Sequence, residues 1–237
     1  MNIWHDIDPA RITPNDFMAV IEIEKGSKKK YELDKQTGLI VLDRILYTST
    51  HYPANYGFIP RTLADDGDPL DVLVLCNEPI DPLVLVQCYP IGVITMLDNG
   101  KNDEKIIAIP FEDPNYNAYR GIEALPSHIF EEMRHFFSVY KQLEGKSTAV
   151  NEVMGQKQAI EVIKQCIKNY NDIYAPLHPY KPEHSPKDTC EPVPPAEGAY
   201  RAHLAGIPRD TGAGGGDTPG GDLPRAGGAA PFPAESR

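Results

Sequence analysis

The chain has 237 residues, 41% hydrophobic and 24% charged, enough for one sizeable core or two small ones. Its formal net charge of −11 speaks against a nucleic-acid binder and against docking on an anionic membrane. An anionic substrate would need a cationic patch or bound metal ions to offset that field. No secretory signal is read at the start, and no apolar run reaches the length of a membrane span. Cys76, Cys88, Cys166 and Cys190 form no C-x-x-C pair, so free thiols in a reducing cytoplasm are expected.

In chain order, residues 19–25 (AVIEIEK) and 30–34 (KYELD) alternate apolar and polar and predict strands. Residues 38–46 (GLIVLDRIL) are apolar on both faces except at Asp43 and Arg44, which predicts a strand buried on both sides. Further strands are expected at 71–77, 83–97 and 105–110. Helices follow. In 126–144, Ile129, Met133, Phe136, Phe137, Tyr140 and Leu143 recur at helical spacing; in 155–172, Ile160, Ile163, Ile167 and Tyr170 do the same. Strands first and helices after predict an α+β fold, a sheet or small barrel covered by two helices. Near residue 174 the composition turns rich in Pro and Gly, so 1–174 reads as the domain and 175–237 as a disordered tail. The break is abrupt enough to suggest a read-through or frameshift product, which an intact mass of the native protein would test.

The first chemical candidate is DDGDPLD, residues 65–71, with four aspartates in seven positions. Asp66 and Asp68 project to the same side of an extended segment, and Asp71 begins the next strand. Converging carboxylates repel one another unless cations neutralise them, and oxygen-only ligands favour Mg²⁺ or Mn²⁺ over zinc. The plain alternative is a solvated turn, since Asp, Gly and Pro are turn residues. An EF-hand does not fit, because its sixth and twelfth places hold Asp71 and Asn77. The second acidic group, Asp98 to Lys105, surrounds a good hairpin signal, Asn99-Gly100; by itself it favours the bland reading.

The cationic candidates lie upstream. Lys30, Glu32 and Asp34 share one strand face and Tyr31 and Leu33 the other, although Lys30 also ends a lysine run that suits a solvated hairpin tip. Arg44 shares parity with Ile40, Leu42 and Leu46, and a buried arginine needs an anionic partner. Asp43 does not share its face, so that partner should come from elsewhere in the fold or from a ligand phosphate. Tyr52, Tyr56 and the pair Tyr140-Lys141 read equally as packing or surface residues. No G-x-S-x-G, H-E-x-x-H, Walker or Rossmann signature occurs, and His178, His184 and His203 fall in the tail, where no metal role is expected.

Together these stretches resemble soluble family I inorganic pyrophosphatases of the bacterial type. DGDPLDV (66–72) matches the family signature; KYELDK, LDR, YPANYGFIP, IGVITMLDNGKNDEKIIAIP and HFFSVYKQLEGK follow in the family's order, covering residues 1–172 and not the tail. The resemblance implies a five-stranded OB-like closed β-barrel flanked by two main α-helices. It also implies a cytoplasmic homohexamer and hydrolysis of pyrophosphate with several Mg²⁺ ions, Mn²⁺ substituting. By motif, Asp66, Asp71 and Asp103 resemble ligands of the activating metals, Asp98 and Glu32 ligands of metals arriving with substrate, and Asp68 the general base on the bridging water. Lys30, Arg44, Tyr56, Tyr140 and Lys141 resemble phosphate contacts, and Glu22 and Lys105 supporting residues. One departure is visible: a tryptophan common just after LEGK is missing, and Thr148 or Ala149 stands in that region. The rivals are a hydrolase of another phosphoanhydride, such as a nucleoside triphosphate, and a noncatalytic OB-type module, which should carry a basic or aromatic strip.

Overall fold

A computed structural model describes residues 2–98, 101–145 and 148–182, without the side chains of residues 98, 101 and 149. The Asn99-Gly100 turn and the tail from 183 onward, with His184, Cys190 and His203, lie outside the described residues. In chain order the elements are β1 (Phe17–Ile23), β2 (Lys29–Leu33), β3 (Ile40–Ile45), β4 (Asn55–Phe58), β5 (Asp71–Val74), β6 (Leu85–Asp98), β7 (Lys101–Asn102), β8 (Lys105–Pro110), α1 (Ser127–Val139), β9 (Ala149–Gly155) and α2 (Gln156–Ile173). Mixed sheet and two helices make this an α+β protein.

The main sheet runs β1-β4-β5-β8-β6-β7, with β9 on β6. Its pairs are antiparallel except β5–β8. The first residues of β6 also pair with β1, Phe17 opposite Cys88 and Val20 opposite Leu85, so the path returns to its first strand. β1 is buried at all seven positions rather than at alternate ones. Phe17, Ala19 and Ile21 enter one apolar cluster. A register irregularity between Ile21 and Ile23 turns Ile23 into the other cluster and leaves Glu22 on the cleft wall.

The expected strand at 38–46 forms, but its predicted burial does not. β3 pairs only with β2 in a separate two-stranded ribbon, leaving Val41 48%, Leu42 55% and Ile45 48% exposed. An apolar run on both faces shows what a strand could bury, not whether a second layer covers it. Three strands were not expected: β4, the two-residue β7 and β9. β4 is four residues long and contains Gly57, where an added Cβ would stand 1.8 Å from the Val20 carbonyl oxygen, so only glycine permits the close approach to β1. β9 slips register against β6 between Ile94 and Met96, which breaks its period.

α1 buries Phe130, Met133, Phe136 and Phe137 in the cluster beneath the cleft, while Leu143, expected in the stripe, is 68% exposed just past the helix. α2 buries Ala159, Ile163, Cys166 and Tyr170 on the other cluster and its neighbour, a stripe rotated by one residue from Ile160 and Ile167. A third cluster joins Trp4, Leu63 and Tyr170 with Tyr174 and Ala175. There His5 stacks between Trp4, at 4.6 Å, and His178, at 3.9 Å, with its Nδ1 2.8 Å from the Tyr170 hydroxyl.

Candidate active site

The cleft forms where the ribbon faces the carboxyl-rich edge of the sheet. Its volume is about 500 Å³, and its lining includes seven carboxylates, Glu22, Glu32, Asp34, Asp66, Asp68, Asp71 and Asp103, against four lysines, 30, 35, 105 and 141. Tyr31, Tyr56 and Tyr140 also line it. Sequence-distant candidates therefore converge: β2 supplies Lys30 and Glu32, the 64–71 turn its aspartates, β8 Lys105, and the end of α1 Tyr140 and Lys141.

The turn is built from its own sequence. Gly67 takes φ of +94°, a left-handed conformation that favours glycine. The Ala64 amide donates to the Asp68 carbonyl at 2.8 Å, and the Asp68 amide to Asp66 Oδ1 at 3.0 Å, which closes the turn around Gly67. Asp71 then begins β5, directly opposite Lys105 of β8 in the parallel register.

Lys105 is the centre of the sheet wall. Its Nζ donates to Asp71 at 2.6 Å, Asp103 at 2.8 Å and the Tyr56 hydroxyl at 3.2 Å, and the same Asp71 oxygen accepts the Tyr56 hydroxyl. Burial alone would lower the Lys105 pKa, but Asp71 and Asp103 outweigh it and hold the ammonium well above its ordinary value. Burial pushes the Glu22 carboxyl well up, and Asp71 adds to that shift. Burial and Asp71 likewise push the Tyr56 phenol well up, which keeps it a hydrogen-bond donor.

The ribbon wall is more open. Lys30 bonds Glu32 and lies 3.4 Å from Asp43. Lys30 and Glu32 bond each other on one side of β2, while Tyr31 and Leu33 pack against apolar clusters and also reach the cleft lining; a register irregularity follows Lys30. Arg44 pairs with both Asp43 and Glu144. The exclusion of Asp43 is thereby corrected: a long guanidinium side chain reaches round the strand to its sequence neighbour. The partner expected from elsewhere in the fold is Glu144. Arg44 is not in the cleft lining but pairs across the ribbon with Lys30. Asp98 ends β6, its backbone opposite Lys101, and its side chain lies outside the description.

Two neighbours were not singled out beforehand. Lys35 forms an ion pair with Asp68 and donates to the Gly67 carbonyl at 3.1 Å; Glu144 holds Arg44. Both lie inside stretches already quoted, KYELDK and LEGK, but nothing in their spacing separates them from surface charges. Among the described residues, no three Asp, Glu, His or Cys side chains are arranged to grip one ion. Lysine ammonium groups lie against four of the candidate carboxylates instead, Lys105 on Asp71 and Asp103, Lys35 on Asp68 and Lys30 on Glu32.

Residues 19–171 match the family model described as inorganic pyrophosphatase. The chain is 49% identical over 173 residues to soluble inorganic pyrophosphatase 2 of Chlamydomonas reinhardtii, covering 73% of this chain and 90% of that protein. It is also 49% identical over 170 residues to an inorganic pyrophosphatase of Aquifex pyrophilus, covering 70% and 96%. Among solved structures, the inorganic pyrophosphatase of Thermus thermophilus superposes with a TM-score of 0.67 at 39% identity, over 72% of this chain and 99% of that one.

Proposed function

The chain belongs to the inorganic pyrophosphatase family, and from that premise we propose how its cleft hydrolyses inorganic pyrophosphate to two phosphates. One observation carries the reading: the cleft lining holds more carboxylates than ammonium groups, seven against four. A polyanionic substrate is repelled by such a surface unless cations enter before or with it. The donors are oxygens, a set that suits a hard ion, so Mg²⁺ is the proposed metal, with Mn²⁺ able to substitute. Asp66, Asp71 and Asp103 are the proposed ligands of the ions that enter first, and Asp98 and Glu32 of those that come with pyrophosphate. When bound, the ions lower the pKa of water and neutralise phosphate oxygens.

The chain's own groups do the rest. Asp68 projects from the Gly67 turn and accepts the proton of the attacking water. Lys30, Arg44, Tyr56, Tyr140 and Lys141 bind the phosphate oxygens, and their donors stabilise charge spread over the transferred and leaving groups. Glu22 and Lys105 support the wall; Lys105 keeps Asp71 and Asp103 close at a point where two unscreened carboxylates would repel.

The same reading extends to the assembly. The strand path that returns from β6 to β1 supports a closed OB-like barrel. A homohexamer in the cytoplasm is proposed, as is catalysis by residues 1–174 with 175–237 an appendage. No described helix is long and apolar enough to cross a membrane. The test is phosphate release from pyrophosphate and from a panel of nucleoside triphosphates, with Mg²⁺ and after chelation. Rapid release confined to pyrophosphate plus Mg²⁺ is expected; equal turnover of ATP would favour the broader phosphoanhydride hydrolase.

A further inference from the structure

Arg44 is held from two sides. Its Nη1 bonds Asp43 beside it, and its Nε donates to Glu144 Oε1 at 2.8 Å. Glu144 is a hundred residues away in sequence and its side chain is almost buried. The third nitrogen, Nη2, is buried and has no hydrogen-bond partner. A buried guanidinium N–H without an acceptor is costly, and a planar fork with two of its nitrogens already fixed presents the third in a defined direction.

The location of Glu144 adds a second consequence. It ends the one-turn 3-10 segment Gln142–Glu144, which directly follows Tyr140 and Lys141. Arg44 is on β3, opposite Lys30 on β2. The pair is therefore a strut between the ribbon and the end of α1, the two elements that carry the phosphate donors assigned above. The ribbon's strands pair only with each other, so it depends on such struts for its placement.

We propose that Glu144 is a positioning residue for pyrophosphate hydrolysis: it fixes the plane of the Arg44 guanidinium, and through that pair it ties the ribbon's donors to Tyr140 and Lys141. The proposal rests on the reading of Arg44 as a phosphate contact. Glu144 touches neither substrate nor metal; it acts through Arg44.

The test is a double-mutant cycle on the full chain with Mg²⁺ and pyrophosphate, measuring KM, kcat and the thermal midpoint. Glu144→Ala should raise KM by about tenfold or more, the value of a hydrogen bond to a charged group, with a much smaller change in kcat. Glu144→Gln keeps an acceptor oxygen at the same reach and should restore most of the loss. In an Arg44→Ala background, Glu144→Ala should add almost nothing. A Glu144→Ala effect that persists at full size without Arg44, or a Gln variant as impaired as the Ala variant, would overturn the proposal. Arg44→Ala with an unchanged KM would instead remove the phosphate reading of Arg44, and the proposal with it. If Glu144→Ala fails to fold, Glu144→Asp, one methylene shorter, takes its place in the same cycle.

Discussion

On the sheet side of the cleft, Asp71, Asp103, Lys105 and Tyr56 form one hydrogen-bonded group on β5, β8, β4 and the strand-end residue Asp103, with the Lys105 side chain 3% exposed. On the ribbon side, Lys30 pairs with Glu32 and Asp43 in a two-stranded element that leaves Val41, Leu42 and Ile45 exposed, and Lys35 just beyond it pairs with Asp68. The same residue types thus stand in two dielectric settings. Charges on the sheet wall are coupled to folding, because separating them leaves a buried charge uncompensated. On the ribbon side Glu32 and Lys35 are about half exposed and therefore screened, so their pairs contribute little to stability.

Substitutions on the two walls test the contrast. Lys105→Met should cost about 3–5 kcal/mol of stability, because Asp71 and Asp103 lose their shared cation, and added Mg²⁺ should restore part of it; chemical denaturation with and without the ion measures both. Lys30→Met, on the ribbon, should raise KM for pyrophosphate by roughly 10–100-fold while costing clearly less stability than Lys105→Met, since its partners Glu32 and Asp43 keep more access to solvent than a fully enclosed pair. A large stability loss in Lys30→Met would erase the distinction between the walls.

A third site, remote from both, has a pH signature. Burial first, and then the neighbouring His178, lower the His5 pKa to about 4, while Asp6 opposes and Arg61 adds to the shift. In the unfolded chain His5 takes its proton at 6.5, so the folded state binds fewer protons between those values. The stabilisation is complete above pH 6.5 and is lost as pH falls toward 4. The loss is on the order of 2 kcal/mol and should flatten in His5→Phe, as followed by thermal midpoints across that range. The smallest effect is expected on the outer face of the ribbon, where Leu42→Ser should change stability by less than about 0.5 kcal/mol.

Much of this was legible in advance, for identifiable reasons. α1 and α2 announce themselves because Met133, Phe136, Phe137, Ile163 and Tyr170 repeat at helical spacing, a local property. The aspartate turn is visible because Gly67 and Pro69 fix its shape within a few residues. What escaped was non-local. The exposure of β3 depends on no layer covering it, the Arg44–Glu144 pair spans a hundred residues, and the central place of Lys105 arises from β5 and β8 lying side by side. Convergence of Lys30, Asp68, Lys105 and Tyr140 in one cleft followed from family resemblance, since no periodicity within a strand brings them together.

The central claim is that Asp68, held out on the Gly67 turn, takes the proton of the attacking water. The direct measurement is Mg²⁺-dependent phosphate release from pyrophosphate by the intact chain and by Asp68→Asn, with the thermal midpoint of each. The account predicts a fall in kcat of roughly 10²–10⁴-fold with an almost unchanged midpoint, since Asp68 is exposed. A folded Asp68→Asn protein with full activity would contradict it.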